Sequence, residues 1–370
     1  MSMTSVFIQP SDVWLFRDGR PFAANDQGRA ASIFPPTPRT LQGVIRSARL
    51  AQSGESFDFT KWPATLRAEI GQPDDFGALQ MRGPLLAKRR EDGTLERFFP
   101  LPADIVKLTN GWLVLSPDPS ASIQTNWATG LQPLLPAVGS EAEKFESGWL
   151  DSDSLLAYLG GNQNGLNVPV SNEDLFQREP RLGIGVDSLA KKTVEGMLYQ
   201  VEFVRLQENV GLLVEFSGVS LILPGTLQIG GEARAARYAL SPTGIDLSQT
   251  QRLTSDGKPL RLKMYLASPT FFGRGWLPQA IDPHTLSGNW RGIELKLIAA
   301  ALHKPQSIGG RDLARRDVQR PMKRAVAAGS VYFWETSASA RDVFASFDGQ
   351  CVSDGPEAQI GFGLCYTGGW

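Results

Sequence analysis

The chain has 370 residues, 42% of them apolar, and a formal net charge of −1. That length exceeds what one small core usually holds, so two domains are expected; no apolar run reaches the ~18 residues of a membrane span, and two cysteines exclude a disulfide scaffold and an all-cysteine zinc site. Near-neutrality alone argues against a polyanionic partner, but the charge is segregated, with six arginines and two aspartates from Arg17 to Arg49, two lysines, no arginine and nine carboxylates from Leu101 to Gln177, and six cations and two carboxylates from Arg311 to Arg324.

The opening residues lack the basic, apolar, small-residue pattern of a leader, so a cytoplasmic location is expected. Residues 6–9 read as a short strand. Thr37 can cap a helix with Pro38 at its first position, and Leu41, Val44, Ile45 and Ala48 then recur at helical spacing as one apolar face. Arg39, Arg46 and Arg49 share another side, which is either solvated or turned to phosphate. Residues 80–97 read as a hairpin turning at Glu91, Asp92 and Gly93, flanked by Arg82, Lys88, Arg89, Arg90 and Arg97. Residues 111–115 read as a strand. Residues 116–172, rich in proline, glycine, serine and acids, read as a loop insertion outside the core, with a short helix near 154–159.

Residues 181–206 predict a projecting hairpin with a basic tip at Lys191 and Lys192, and residues 210–216 a further strand. A Gly230-Gly231 loop follows, flanked by Arg234 and Arg237. Residues 241–259 read as a linker, 261–267 as a strand and 293–302 as a helix. Gly309-Gly310 is another glycine pair. Residues 311–324 read as a helix-to-loop basic arm, because Pro321 ends any helix there. Residues 330–335 and 359–366 read as strands. The order strand, helix, strands, Gly-rich loop recurs at both ends. It predicts an α+β chain of two ferredoxin-like (RRM-like) domains in tandem, with inserted β-hairpins and Gly-rich loops. The expected domains are residues 1–250, carrying the acidic region 101–177 and the hairpin 181–206, and residues 251–370.

Little in the chain resembles a catalytic motif. His284 and His303 are the only histidines, with no metal-ligand cluster around them, and no GxSxG, Walker or HExxH pattern occurs. His303 ends the expected helix, where it suits terminal carbonyls; the catalytic alternative is a metal-free ribonuclease site of His303, Lys304 and Arg311. Cys351 and Cys365 read as buried thiols, a cross-strand pair being the alternative. Glycine pairs beside arginines can offer backbone N–H groups to phosphate oxygens. Phe362, Tyr366 and Trp370, among the closing residues, either stack on bases or pack the last strand. The 26 arginines against 11 lysines suit forked phosphate contacts, or reflect a GC-rich genome.

Seven stretches carry a family resemblance: FRDGRPF (16–22), FPPTPRTLQGVIRSA (34–48), EGMLY (195–199), LQIGGEAR (227–234), SIGGRD (307–312), AGSVYFWE (328–335) and IGFG (360–363). They resemble the RAMP superfamily of CRISPR-associated proteins. More narrowly, they are similar to the Cmr-module subunit of type III-B effector complexes that holds the 5′ repeat-derived tag of the guide RNA. The resemblance implies two ferredoxin-like domains with inserted hairpins and guide-RNA binding without nuclease activity; no cofactor and no membrane partner are expected. It implies as partners the crRNA 5′ tag, the large polymerase/cyclase subunit and the backbone RAMP subunit. With it, the expected RNA-binding residues are Arg17, Arg20, Arg39, Arg46, Lys191, Lys192, Gly230, Gly231, Arg234, Gly309, Gly310, Arg311, Arg315, Arg316, Arg320, Lys323, Gly361, Phe362 and Gly363. The hairpin 181–206 becomes a thumb-like element against the guide. The acidic region lies outside the matching pattern and is free to face a basic partner subunit. The rival readings are a RAMP-type endoribonuclease processing repeat RNA, with His303 as base, and a pure protein scaffold.

Overall fold

The computed structural model describes residues 3–17, 29–72, 75–109, 111–120, 130–136, 142–145, 147–186, 192–247, 252–253, 259–312 and 318–370. The chain forms two compact units from interleaved segments. Met1–Leu95, Asn172–Gly244 and Ser307–Lys323 make the first, and Glu96–Ser171, Ile245–Gln306 and Arg324–Trp370 the second. Antiparallel sheet dominates both, so the α+β expectation holds.

In the first unit Val6, Phe7 and Ile8 are all buried, the pattern of a strand covered on both faces. Their strand, Thr4–Pro10, pairs antiparallel with Val210–Ser217 on one side and Ala235–Leu240 on the other. Gln80–Arg89 lies beyond Val210–Ser217, and the short Gly225–Gln228 beyond Ala235–Leu240. The four longer strands, numbered along the chain, therefore lie in the order four, one, three, two. The predicted helix runs Pro38–Ser53 between strands one and two. Its stripe Leu41, Val44, Ile45 and Ala48 is buried, and Gly54 ends it at φ 74°. Thr37 stands at the cap, but only its carbonyl is used, accepting the Thr40 N–H. The hairpin is Phe176–Val186 and Thr193–Leu206, with Arg29–Ala30 added in parallel. Of its predicted tip, Lys192 is exposed and Lys191 lies outside the described residues.

The second unit repeats the strand order. Leu260–Leu266, Ile293–Ala301, Val331–Thr336 and Leu364–Gly369 are first to fourth in the chain and again lie four, one, three, two. Here the helix, Ala340–Phe347, stands between strands three and four. Ser339 caps it through an Oγ that accepts the Asp342 N–H. Ser287–Trp290 and Gln350–Cys351 extend the two edges. Cys365 is buried and Cys351 half-buried, both as free thiols.

Five sequence expectations are corrected. Residues 293–301 form a strand, not a helix: Ile293, Leu295 and Leu297 are buried while Glu294 and Lys296 are exposed, a period of two that overrides the helix propensity of Leu, Ala, Glu and Lys. The basic stretch is no helix-to-loop arm but a ribbon, Gln306–Asp312 with Val318–Ala325. Both strands of a two-stranded ribbon are edge strands, where a proline such as Pro321 is tolerated. The Gly309-Gly310 pair lies inside its first strand. The insertion joins the core: Trp149–Asp151 pairs with Leu95–Pro100, and Leu155, Tyr158 and Leu159 are buried on the helix Ser152–Leu159. The expected linker is pinned by buried Ile245, Leu247, Arg252 and Leu253. Finally, residues 356–360 form a 3-10 turn, and the last strand starts only at Leu364.

A charged cluster lies inside the second unit. The Tyr158 hydroxyl donates to both Asp104 carboxylate oxygens at 2.8 Å, and Lys263 Nζ sits 3.7 Å from the Tyr158 ring centroid. Burial pushes Asp104 up to about 6, against the pull of Lys263, and pushes Lys263 down to about 8, against the pull of Asp104. A raised carboxylate means that the folded state holds an extra proton between the ordinary aspartate value of 3.8 and about 6. Asp104 therefore makes stability fall as pH rises through that window, opposite to a salt-bridged carboxylate. The expected result is a downward contribution to the unfolding midpoint from pH 4 to 6. It disappears in the Asp104→Asn/Lys263→Met variant, as read by thermal melts across that range.

Candidate nucleic-acid interface

The first unit carries a basic cluster built by one helix and one ribbon. On the helix Pro38–Ser53, residues 39, 42 and 46 recur at spacings of three and four, so Arg39, Gln42 and Arg46 form one stripe. Gln42 is buried and turns its carboxamide oxygen to the Arg46 guanidinium, at 2.8 and 3.3 Å. Arg46 also donates to the Gln72 carbonyl at 2.8 Å. Burial lowers the Arg46 pKa; Asp75 opposes that shift and Arg320 adds to it. Arg49, one turn on, is turned away into a forked pair with Glu69 at 2.7 and 3.2 Å.

The ribbon brings the second half. A Cβ on Gly310 would stand 3.2 Å from Arg39 Cδ and 3.9 Å from Arg320 Cδ. The bare glycine thus lets two arginine stems lie against the ribbon, and Arg320 is near enough to Arg46 to depress its pKa. Arg39, Arg46, Gly310 and Arg320, far apart in sequence, meet here. Gly309 is half-buried on the same strand, and Lys323 is exposed further along the partner strand. Arg311 lies in the ribbon, but its side chain, like Arg315 and Arg316 as a whole, is outside the described residues.

The other expected residues fall elsewhere. Arg17 is exposed and bridges to Ser32. Arg20 lies outside the described residues. Lys192 is exposed next to the hairpin tip. Arg234 pairs with Glu232 at 2.7 Å and lies 4.8 Å over the Phe203 ring. Arg181 lies 4.9 Å over that same ring, and with Arg205 it is balanced by Glu179 and Asp12.

The Gly230-Gly231 pair has a packing reason. Gly230 has φ 76°, and a Cβ there would be 2.3 Å from the Leu15 carbonyl oxygen; the Gly231 N–H donates to that same oxygen at 2.7 Å. Gly230→Ala is therefore expected to cost about 2 kcal/mol or more of stability, from strain at positive φ and the backbone clash, as read by chemical denaturation.

The closing stretch is corrected outright. Phe362 is fully buried beside Phe271, with ring centroids 4.9 Å apart, so it offers no face to a base. Gly361 sits at φ 101° and its N–H bonds to Ala358. Gly363 sits at φ 83°, its N–H bonds to Pro269, and a Cβ would be 2.5 Å from the Ser353 nitrogen. These glycines serve a tight turn, not a polyanion. Tyr366 is likewise buried, its hydroxyl on the Ile245 carbonyl, and the Trp370 indole N–H donates to Leu262.

His303 follows a strand rather than ending a helix. Its Nε2 is 3.0 Å from the Leu101 carbonyl oxygen, and a Cβ on Gly329 would meet the ring at 2.9 Å. Among the described residues, no group of three or more His, Cys, Asp or Glu side chains is placed to hold a metal ion, and no helix is long and apolar enough to cross a membrane. Sequence reading missed Gln42, Gln72 and Asp75 around Arg46. Gln42 had a signal, a polar residue midway between two arginines on one stripe. Gln72 and Asp75 had none, since only the fold brings them close.

The family model described as CRISPR-associated protein (Cas_Cmr3) matches residues 6–370. A chain of the type III-B Cmr-beta structure bound to cognate target RNA is 15% identical, with a TM-score of 0.52 over 97% of this chain and 95% of that one. A chain of Cmr-beta bound to cognate target RNA and AMPPnP is 14% identical, with a TM-score of 0.50 over 97% and 94%. At such identities the structural likeness speaks for the fold alone. No curated protein matches the chain.

Proposed function

The chain belongs to the Cas_Cmr3 family of CRISPR-associated proteins, and from that premise we propose that it is the non-catalytic, guide-RNA-binding and scaffolding subunit of a type III-B effector complex. It holds the 5′ repeat-derived tag of the crRNA beside the large polymerase/cyclase subunit and the backbone RAMP subunit. The observation that carries this reading is the convergence of Arg39, Arg46 and Arg320 around Gly310. Arginine forks match phosphate oxygens, and a single strand gives them a flexible backbone to follow.

Other features support it. The strand order four, one, three, two in both units suits two ferredoxin-like domains, each lacking one of the two usual helices. The first set of strands ends at Leu240 and the second starts at Leu260, so a boundary near residue 250 separates the two strand sets, although residues 96–171 join the second compact unit and 307–323 the first. A His303 ring held against the main chain favours a structural histidine over a catalytic base. The matched Cmr-beta structures hold target RNA.

The test is a salt titration of the full chain, alone and with the large subunit, on 5′-tagged and untagged guide RNA, with cleavage followed in the same samples. Salt-sensitive binding that prefers the tag, with the RNA intact, is expected. Metal-independent cleavage lost in His303→Ala would move the assignment to the endoribonuclease. No RNA binding in either form would leave a protein scaffold.

A further inference from the structure

The loop between the first two sheet strands of the second unit presents a tryptophan and an arginine to solvent on a fixed turn. The Gly275 N–H donates to the Phe272 carbonyl at 3.1 Å and the Arg274 N–H to that of Leu277 at 3.3 Å. Asp354 Oδ2 accepts the Gly273 and Gln279 N–H groups at 2.7 and 2.8 Å, and the Tyr332 hydroxyl donates to the Trp276 carbonyl. The backbone is pinned on both sides, while the Arg274 side chain and about a third of the Trp276 surface face solvent. Trp276 is 36% exposed and Arg274 is exposed. Among the described residues neither side chain has a hydrogen bond, ion pair or ring contact. Trp276 is also left out of the aromatic cluster directly beneath, where Phe272 packs edge-on against Trp290 and Tyr332.

We propose that this turn is a second RNA contact, with Trp276 stacking on an unpaired base of single-stranded RNA and Arg274 meeting a neighbouring phosphate. This rests on the reading that the chain binds RNA. An aromatic face beside a cation is the element from which sequence-tolerant single-strand binding is built, bases stacking on rings while cations follow the backbone. A protein hot spot instead needs a surrounding rim that excludes water. The flanking Gly273 and Gly275 provide no such rim, and Gly275 has open space where a Cβ would stand.

The experiment uses the full chain and a 5′-tagged single-stranded guide RNA carrying 4-thiouridine, with affinity measured over a salt series. Trp276→Ala is expected to weaken binding roughly 10-fold, within the range of one stacked base, and Trp276→Phe to retain most of it. Arg274→Gln is expected to flatten the salt slope by about 0.7. A photo-crosslink at Trp276 is expected in the wild type. Unchanged affinity of Trp276→Ala, with wild-type binding intact, overturns the stacking site and leaves the basic cluster standing. Wild-type protein that binds no RNA overturns both. If Trp276→Ala keeps RNA affinity but loses a partner subunit from the assembled complex, the turn is a protein contact and the proposal is wrong.

Discussion

Replacing Arg39 and Arg320 together by glutamine is expected to weaken binding of 5′-tagged single-stranded RNA roughly 25-fold at 0.1 M salt and to flatten the salt slope by about 1.4. Each phosphate contact on a single strand contributes about 0.7 to that slope. Relative to 1 M salt, where counterion release contributes nothing, one contact at 0.1 M is therefore worth about fivefold, and two multiply. Glutamine keeps a polar stem against Gly310 but removes the charge and the fork. Arg46 is left in place, because its bonds to the Gln72 carbonyl and Gln42 also hold the local fold. A parallel Arg49→Gln change should leave the slope unaltered, since that guanidinium is already committed to Glu69. Equal slopes for the double variant and the wild type would remove the helix-and-ribbon cluster from the RNA path.

How much of this was legible beforehand depends on the range of the contact. The helix Pro38–Ser53 was readable, because Leu41, Val44, Ile45 and Ala48 share a face and Thr37-Pro38 marks its start. The central strands were readable from short apolar runs. Residues 293–301 were misread because leucine, alanine, glutamate and lysine outweighed an alternation that was present in plain sight. The ribbon is hidden in the sequence because Pro321 reads as a helix stop, although an edge position tolerates it equally well. The closing glycines misled for a different reason. Positive φ and close approach are needed both for phosphate nests and for tight turns, and only the Ser353 nitrogen beside Gly363 distinguishes them. The meeting of Arg39 with Arg320 had no local signature at all. Charge segregation pointed to both segments, but nothing in either stretch names the other.

The largest stability effect is expected at Arg252, in a stretch that reads as linker. Its guanidinium is 2% exposed and lies 3.0 Å from Asp348, itself 6% exposed. Asp348 also accepts the Thr367 N–H and hydroxyl at 2.8 and 3.1 Å, and the Arg252 carbonyl accepts the Gly369 N–H at 3.1 Å. One residue thus ties the stretch to the last strand. Arg252→Ala leaves Asp348 buried without its cation and is expected to cost about 3–5 kcal/mol, or on the order of 10 °C in the unfolding midpoint. Burial already raises the Asp348 pKa, with Arg252 opposing, so removing the arginine raises it further. The variant's deficit should therefore shrink as pH is lowered, because a protonated Asp348 no longer buries a charge. Arg252→Met/Asp348→Leu, which removes both charges and keeps the volume, should recover most of the loss. A deficit that is independent of pH and persists in the double variant would mean that Arg252 acts through its packing over Phe344, 5.3 Å away, rather than through the ion pair.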